Sequence, residues 1–183
     1  RLATRVSRWT EQDDKRLLRL VRYIWHHADQ RQVGFIGDKI EDTSLRLFCD
    51  ADFAGDAVSQ RSTRGVHLAL HGLHSIYPLQ GLSAKQDAVS FSTPEAEFHA
   101  GCMGYRKVMI PALGLWEVLG PGMKVPTFHE DNQAMVLVVM SGRNPTMRHL
   151  GRVHRVGVSW LHERLGRHAR RDPTLMFYET LRI

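Results

Sequence analysis

Residues 44–56, Ser-Leu-Arg-Leu-Phe-Cys-Asp-Ala-Asp-Phe-Ala-Gly-Asp, constrain the fold more than any other stretch. Leu45, Leu47 and Cys49 alternate with Arg46, Phe48 and Asp50. A period of two is that of a β-strand with one buried face. The strand runs into two acids, Asp50 and Asp52, and then into a turn-prone Ala-Gly-Asp. A carboxylate at the end of an apolar strand must be solvated, hydrogen-bonded or bound to a cation, because burying it alone is costly. On this stretch alone, a strand end with surface acids and a strand end facing a metal both account for the pattern.

The rest of the chain is predicted around that strand. Arg1 to Ala28 reads as a basic lead-in and a helix, with Thr10 and Asp13 as a capping pair. Leu17, Leu20, Val21 and Ile24 give it an apolar stripe. Gln32 to Ile40 and Ala88 to Ser92 read as short strands. Val66 to Leu70 and Ser75 to Leu79 form a hairpin around Gly72. Thr93-Pro94 starts a helix expected to carry to about Leu119, kinked or broken at Pro111. Val125 to His129 is a strand, and Gln133 to Met140 a helix that stops at Ser141-Gly142. Leu150 to Leu165 is expected as one helix and Leu175 to Leu181 as a last strand. The expected fold class is α/β, a mixed central sheet of about five strands flanked by helices. Residues 1–40 form a lead-in and 41–183 the main domain.

The 183 residues are 43% hydrophobic and 24% charged, the balance of a soluble globular chain. No apolar run reaches the length of a membrane span, so no membrane partner is expected. A signal-peptide pattern is also missing, which points to an intracellular, cytoplasmic location. The two cysteines, Cys49 and Cys102, have neither zinc-type spacing nor a disulfide-framework count, in keeping with a reducing compartment. The formal net charge of +6 favours an anionic partner, nucleic acid first. Arg148, Arg152, Arg155, Arg164, Arg167, Arg170 and Arg171 crowd the C-terminal third. They form either a solvated surface or a strip that tracks phosphates.

Acids recur where elements meet. Asp50 ends a strand, Glu95 and Glu97 lie in a helix's first turn, and Asp131 lies between a strand and a helix. Each has a structural explanation too: acids suit helix N-termini, and Asp131 or Asn132 suits an N-cap. Gathered by one sheet and its covering helix, three carboxylates would make a hard-oxygen site for Mg²⁺.

Four segments occur together in order: Asp50-Ala-Asp-Phe-Ala-Gly-Asp, Arg61-Ser-Thr-Arg-Gly65, Ser92-Thr-Pro-Glu-Ala-Glu-Phe98 and Asp131-Asn-Gln. In these the chain resembles the ribonuclease H domain of copia-type LTR retrotransposon polyproteins, over roughly residues 10–181. Arg16 to Trp25 looks like the end of the reverse transcriptase that precedes this domain. The resemblance implies a ribonuclease H-like fold and a Mg²⁺-dependent endonuclease that cuts the RNA strand of RNA–DNA hybrids. It implies two Mg²⁺ ions, replaceable by Mn²⁺, on Asp50, Glu97 and Asp131 as catalytic and metal-binding acids. Glu97 is chosen over Glu95 because it precedes the apolar Phe98. Asp52, Glu95 and Asn132 are candidates to support those three from behind. Arg148, Arg152, Arg155, Arg167, Arg170 and Arg171 are the candidate nucleic-acid contacts, and the reverse transcriptase domain of the same polyprotein is an expected partner. The chain departs from the family at the inserted Pro94 and at Gly151. The family's fourth acid lies on a helix after the last strand, which the sequence does not reach. A non-catalytic hybrid- or RNA-binding module is therefore the alternative expectation. The histidines, His129, His149 and His154 among them, are expected to be structural or solvent-facing, because Mg²⁺ prefers oxygen ligands.

Overall fold

The structure, a computed structural model, describes residues 2–153, 157–165, 169–171 and 179–182, with 3, 4, 145 and the last two stretches as backbone only. The chain divides into two compact units, Arg1–Gly34 and Phe35–Ile183.

The first unit is built on helix α1, Glu11–His26. Asp13 takes the Glu/Gln position of a capping box. Its carboxylate accepts the Thr10 hydroxyl at 2.7 Å and the Thr10 amide at 3.2 Å, and Arg5 donates at 3.1 Å. The Thr10 hydroxyl, above all, holds the Asp13 pKa below the ordinary carboxyl value. Leu17, Leu20, Val21, Ile24 and Trp25 stay exposed along the helix.

The second unit opens with strand β1, Ser44–Asp52, followed by β2, Thr63–His71, and β3, Ile76–Lys85. Next come α2, Thr93–Gly104, and α3, Ile110–Leu119. Strand β4, Thr127–Glu130, precedes α4, Gln133–Ser141. Two short helices, α5 (Leu150–Val153) and α6 (Val158–Leu165), lead to β5, Ala169–Arg171, and β6, Glu179–Arg182. β1 pairs antiparallel with β2 and β2 with β3, while β1 and β4 run parallel. The sheet is therefore mixed, and the chain is α/β.

The expected count of about five strands is corrected. Four strands, β1 to β4, form the body of the sheet, and β6 and β5 extend it beyond β4, giving the order β3-β2-β1-β4-β6-β5 among the described residues. Two expected strands are not strands. Residues 32–40 leave Val33 and Phe35 almost fully exposed, so no face is buried to hold a ladder. Near residue 88 the chain has left the sheet: the Gln86 amide still bonds Ser62 O at 2.8 Å, and Ser92 then caps α2. The hairpin strands, conversely, are longer than expected. Of the strand expected over 175–181, residues 175–178 lie outside the described residues.

Pro111 does not break the long helix as expected. A π-helical turn at Tyr105–Met109 interrupts it earlier. Pro111 then falls in the first turn of α3, where its missing N–H and fixed φ are tolerated. The helix expected over 150–165 is also divided, with non-helical Gly157 ahead of α6. Glycine is a weak helix former.

The helix-bearing face of the sheet carries Leu45, Leu47, Cys49, Val66, Leu68 and Phe128, all buried. α2 lies directly on it. A Cβ at Gly101 would come 2.9 Å from Met135 and 3.1 Å from Phe128, and one at Gly104 would come 3.2 Å from Val66 and collide with Cys49 Sγ. Those two glycines, one helical turn apart, set how close α2 and its acids approach β1. α4 ends at Gly142, whose φ of 66° closes the helix in the left-handed region.

Candidate functional site

The parallel register pairs Phe48 with His129. Two residues further on, at the C-terminal ends of β1 and β4, stand Asp50 and Asp131. Both line an open groove on the face away from α2, together with Phe48, Gly65, His67, Gly81 and Ser83. Phe48 stacks on His129 at 4.6 Å between ring centres.

Glu97 stands in the first turns of α2. Ser92 caps that helix by accepting the Glu95 amide. Glu97 is only 4% exposed. Its Oε2 is buried and has no hydrogen-bond partner. Burial, then the charges of Asp50 and Asp131, push its pKa up to about 8. Asp50, Glu97 and Asp131 come from three separate elements, and the charges of Asp50 and Asp131 act on Glu97.

A fourth acid belongs with them, one that the sequence motifs do not mark. Glu130 ends β4 and is completely buried. One oxygen, Oε1, accepts the Asn132 amide at 3.1 Å, and Oε2 has no hydrogen-bond partner. Burial raises its pKa well above the ordinary value, and the charges of Glu97, Asp131 and Asp50 raise it further. The Cys49 thiol is pushed up by its own burial and then by Glu130. One signal in the sequence could have found it. Glu130 lies two residues from apolar Phe128, so strand alternation turns it toward the buried face.

The supporting residues have distinct duties. Asp52 accepts the Thr63 amide and ties the end of β1 to the start of β2. Glu95 is buried and receives His149 Nε2 at 3.1 Å and the Phe91 amide at 3.1 Å, so it fastens the start of α2 to the segment before α5. Asn132 caps α4 by accepting the Met135 amide at 3.0 Å. The histidines expected to be structural divide: His129 is buried and bonded to Thr127, and His149 holds Glu95. His154 lies outside the described residues.

Of the arginines, Arg148 and Arg152 are exposed. Arg164 is engaged elsewhere, since its guanidinium lies 4.3 Å over the Trp160 ring and donates to Trp160 O at 3.0 Å. Arg170 and Arg171 are in β5, described as backbone. Arg155 and Arg167 lie outside the described residues.

Among the described residues, no three His, Cys, Asp or Glu side chains are gathered closely enough to hold a metal ion. The donor set still suits Mg²⁺. Every donor is a carboxylate oxygen, and Oε2 of buried Glu97 has no hydrogen-bond partner. Mg²⁺ keeps several waters and is held through one or two carboxylates plus substrate phosphates, so a closed cage is not required. Without a cation, neighbouring carboxylates keep apart or one of them is held on its neutral side.

Compared with protein families, curated proteins and solved structures, the chain matches none. No helix among the described residues is long and apolar enough to cross a membrane.

Proposed function

We propose that the chain is a ribonuclease H-like domain of the copia-type retrotransposon kind, a Mg²⁺-dependent endonuclease that cuts the RNA strand of RNA–DNA hybrids during reverse transcription. It would work in the cytoplasm beside the reverse transcriptase of its polyprotein. The observation that carries this reading is the groove shared by Asp50 and Asp131, with the buried, unpartnered Oε2 of Glu97 in the field of both.

Asp50 and Asp131 would hold two Mg²⁺ ions from the groove side and Glu97 from the helix side, with Mn²⁺ as a substitute. Bound there, the ions supply charge stabilisation to the attacking and leaving oxygens of a phosphodiester. Glu97 must release its proton for this. Gly104 and Gly101 hold α2 near enough for the Glu97 carboxyl to reach Asp50, and His149 fastens the helix start through Glu95. Exposed Arg148 and Arg152, with Arg155, Arg167, Arg170 and Arg171, would track phosphates and recognise the hybrid by shape rather than sequence.

A hybrid-binding module without cleavage is the second reading. The burial of Glu97, which raises its pKa and disfavours the charged form that a metal needs, is the observation on its side. A substrate panel separates the two. The purified chain with Mg²⁺ is expected to cut the RNA of a hybrid and to spare duplex DNA and duplex RNA. Binding to the hybrid with no cleavage of it would favour the module.

A further inference from the structure

We propose that Phe91 is a stacking platform for an unpaired nucleobase, beside a surface on which Arg148 and Arg152 meet phosphates. The inference rests on the nucleic-acid reading above and deepens it: the preferred ligand is a hybrid that continues into a single strand.

Phe91 immediately precedes Ser92, the N-cap of α2. An apolar residue in that place ordinarily folds back on the fourth helical residue and staples the helix start. The fourth residue is Ala96, which is buried, yet Phe91 stays 79% exposed, so its ring is no staple. Nor is the ring loose. The Phe91 amide donates to Oε2 of buried Glu95 at 3.1 Å, and Oε1 of Glu95 holds His149 Nε2 at 3.1 Å. The His149 ring meets the Phe91 ring edge-on, at 81° and with centres 5.3 Å apart. One buried carboxylate thus fixes both the backbone under the phenyl ring and the imidazole beside it. A ring so exposed gains little from burial on folding. It is prepared for a ligand, because it has little rotamer freedom left to lose.

Charge selects the occupant. Arg148 has helical backbone angles, φ −60° and ψ −24°, and the His149 carbonyl accepts the amides of Arg152 and Val153 at 2.9 and 3.0 Å. Arg148 and Arg152 therefore share one side of the turn that carries His149, and both are exposed. An aromatic face with guanidiniums close by suits flat rings joined by phosphates, which is a nucleic-acid strand. In a duplex interior each base face is covered by its neighbours, so the face on offer is that of an unpaired base. The competing occupant, an apolar protein surface, needs no base.

The test measures binding of the full chain to RNA–DNA hybrids without divalent cation, so that nothing is cut. Each hybrid carries a short single-stranded extension containing 2-aminopurine, placed at each strand end in turn. A matched set carries abasic units in the extension. The proteins are the wild type, Phe91→Leu, Phe91→Tyr and the double variant Arg148→Ala with Arg152→Ala, each checked for folding by circular dichroism. Fluorescence anisotropy gives affinity, and quenching of 2-aminopurine reports stacking. For at least one extension, the wild type is expected to bind the base-bearing form at least about fivefold more tightly than the abasic form and to quench it, the lower end for one base on an aromatic ring. Phe91→Tyr should keep both effects. Phe91→Leu should lose both and bind the abasic hybrid as the wild type does. Equal affinity for base-bearing and abasic forms in the wild type, or quenching that survives Phe91→Leu, would overturn the platform. Hybrid binding that still weakens in the arginine double variant would then leave the nucleic-acid reading standing. No binding of any hybrid by the wild type would overturn that reading and this inference together. Unfolding of Phe91→Leu while Phe91→Tyr folds would make the ring a structural prop and overturn the inference.

Discussion

The Glu97 carboxyl, buried on α2, lies in the field of Asp50 near the end of β1. The residues are 47 positions apart in sequence, and only the close seat of α2 on the sheet lets them meet. Burial, then the charges of Asp50 and Asp131, disfavour the charged form of Glu97.

A pH dependence of stability follows for the metal-free protein. The Glu97 pKa rises from an ordinary 4.5 to about 8 on folding. Below 4.5 both states carry the proton, and stability does not depend on it. Between 4.5 and 8 the folded state binds the proton and the unfolded state does not, so stability falls as pH rises. His71 acts in the opposite sense. Burial, then Arg46 and His67, lower its pKa from 6.5 to about 4, so stability rises with pH between those values. The Glu97 contribution is therefore clearest from pH 6.5 to 8. Urea denaturation across that window is expected to give a falling stability for the wild type and a shallower fall for Glu97→Gln. Identical slopes would place Glu97 in an ordinary solvated setting.

Close packing of α2 gives a second expectation. Gly104→Ala drives a methyl into Cys49 Sγ and against Val66. It should destabilise the domain by about 1–3 kcal/mol, the usual cost of overpacking. It should also impair metal binding by moving Glu97 outward. Denaturation and Mn²⁺ titration of this variant report the two effects separately. Wild-type stability would mean that α2 can shift to make room for the methyl.

His149→Ala removes the imidazole from buried Glu95. A destabilisation of about 1–3 kcal/mol is expected, the range for depriving a buried polar group of a partner. His149→Gln, which can still donate, should recover part of it. Thermal unfolding of the pair checks this. Equal stability in Ala and Gln variants would show that the hydrogen bond to Glu95 contributes little.

Much of this arrangement was legible in the sequence. Alternation at Leu45–Cys49 located β1, and Ser92 to Pro94 located the start of α2. Two of the three motif acids, Asp50 and Asp131, line one groove. The misreadings have physical causes. Val33, Phe35, Val89 and Phe91 have strand-like composition but find no partner face, so residues 32–40 and 88–92 stay out of the sheet. Pro111 drew attention as a breaker, yet the helix had already changed register at Tyr105–Met109. Glu130 was hidden because an acid beside two polar residues, Asp131 and Asn132, looks like part of a loop. Only the burial of Phe128 and the direction of β4 turn it inward.

The exposed arginines give a test of grip. Arg148→Ala with Arg152→Ala should weaken hybrid binding about equally for any sequence. Each phosphate left without its arginine should reduce the slope of log affinity against log salt by roughly 0.7–0.9. Fluorescence titrations at several salt concentrations measure it. An unchanged slope would assign both side chains to the solvated surface and move the binding face elsewhere.

The central claim is that Asp50, Glu97 and Asp131 form a Mg²⁺ site for hybrid cleavage. Its most direct test is cleavage of an end-labelled RNA strand in an RNA–DNA hybrid by wild type and Asp50→Asn, with Mg²⁺ and with chelator, at equal occupancy of hybrid. The wild type should cut with Mg²⁺ and not with chelator, and Asp50→Asn should bind the hybrid normally and leave it intact. Undiminished cleavage by Asp50→Asn, or cleavage that persists in chelator, would contradict the account.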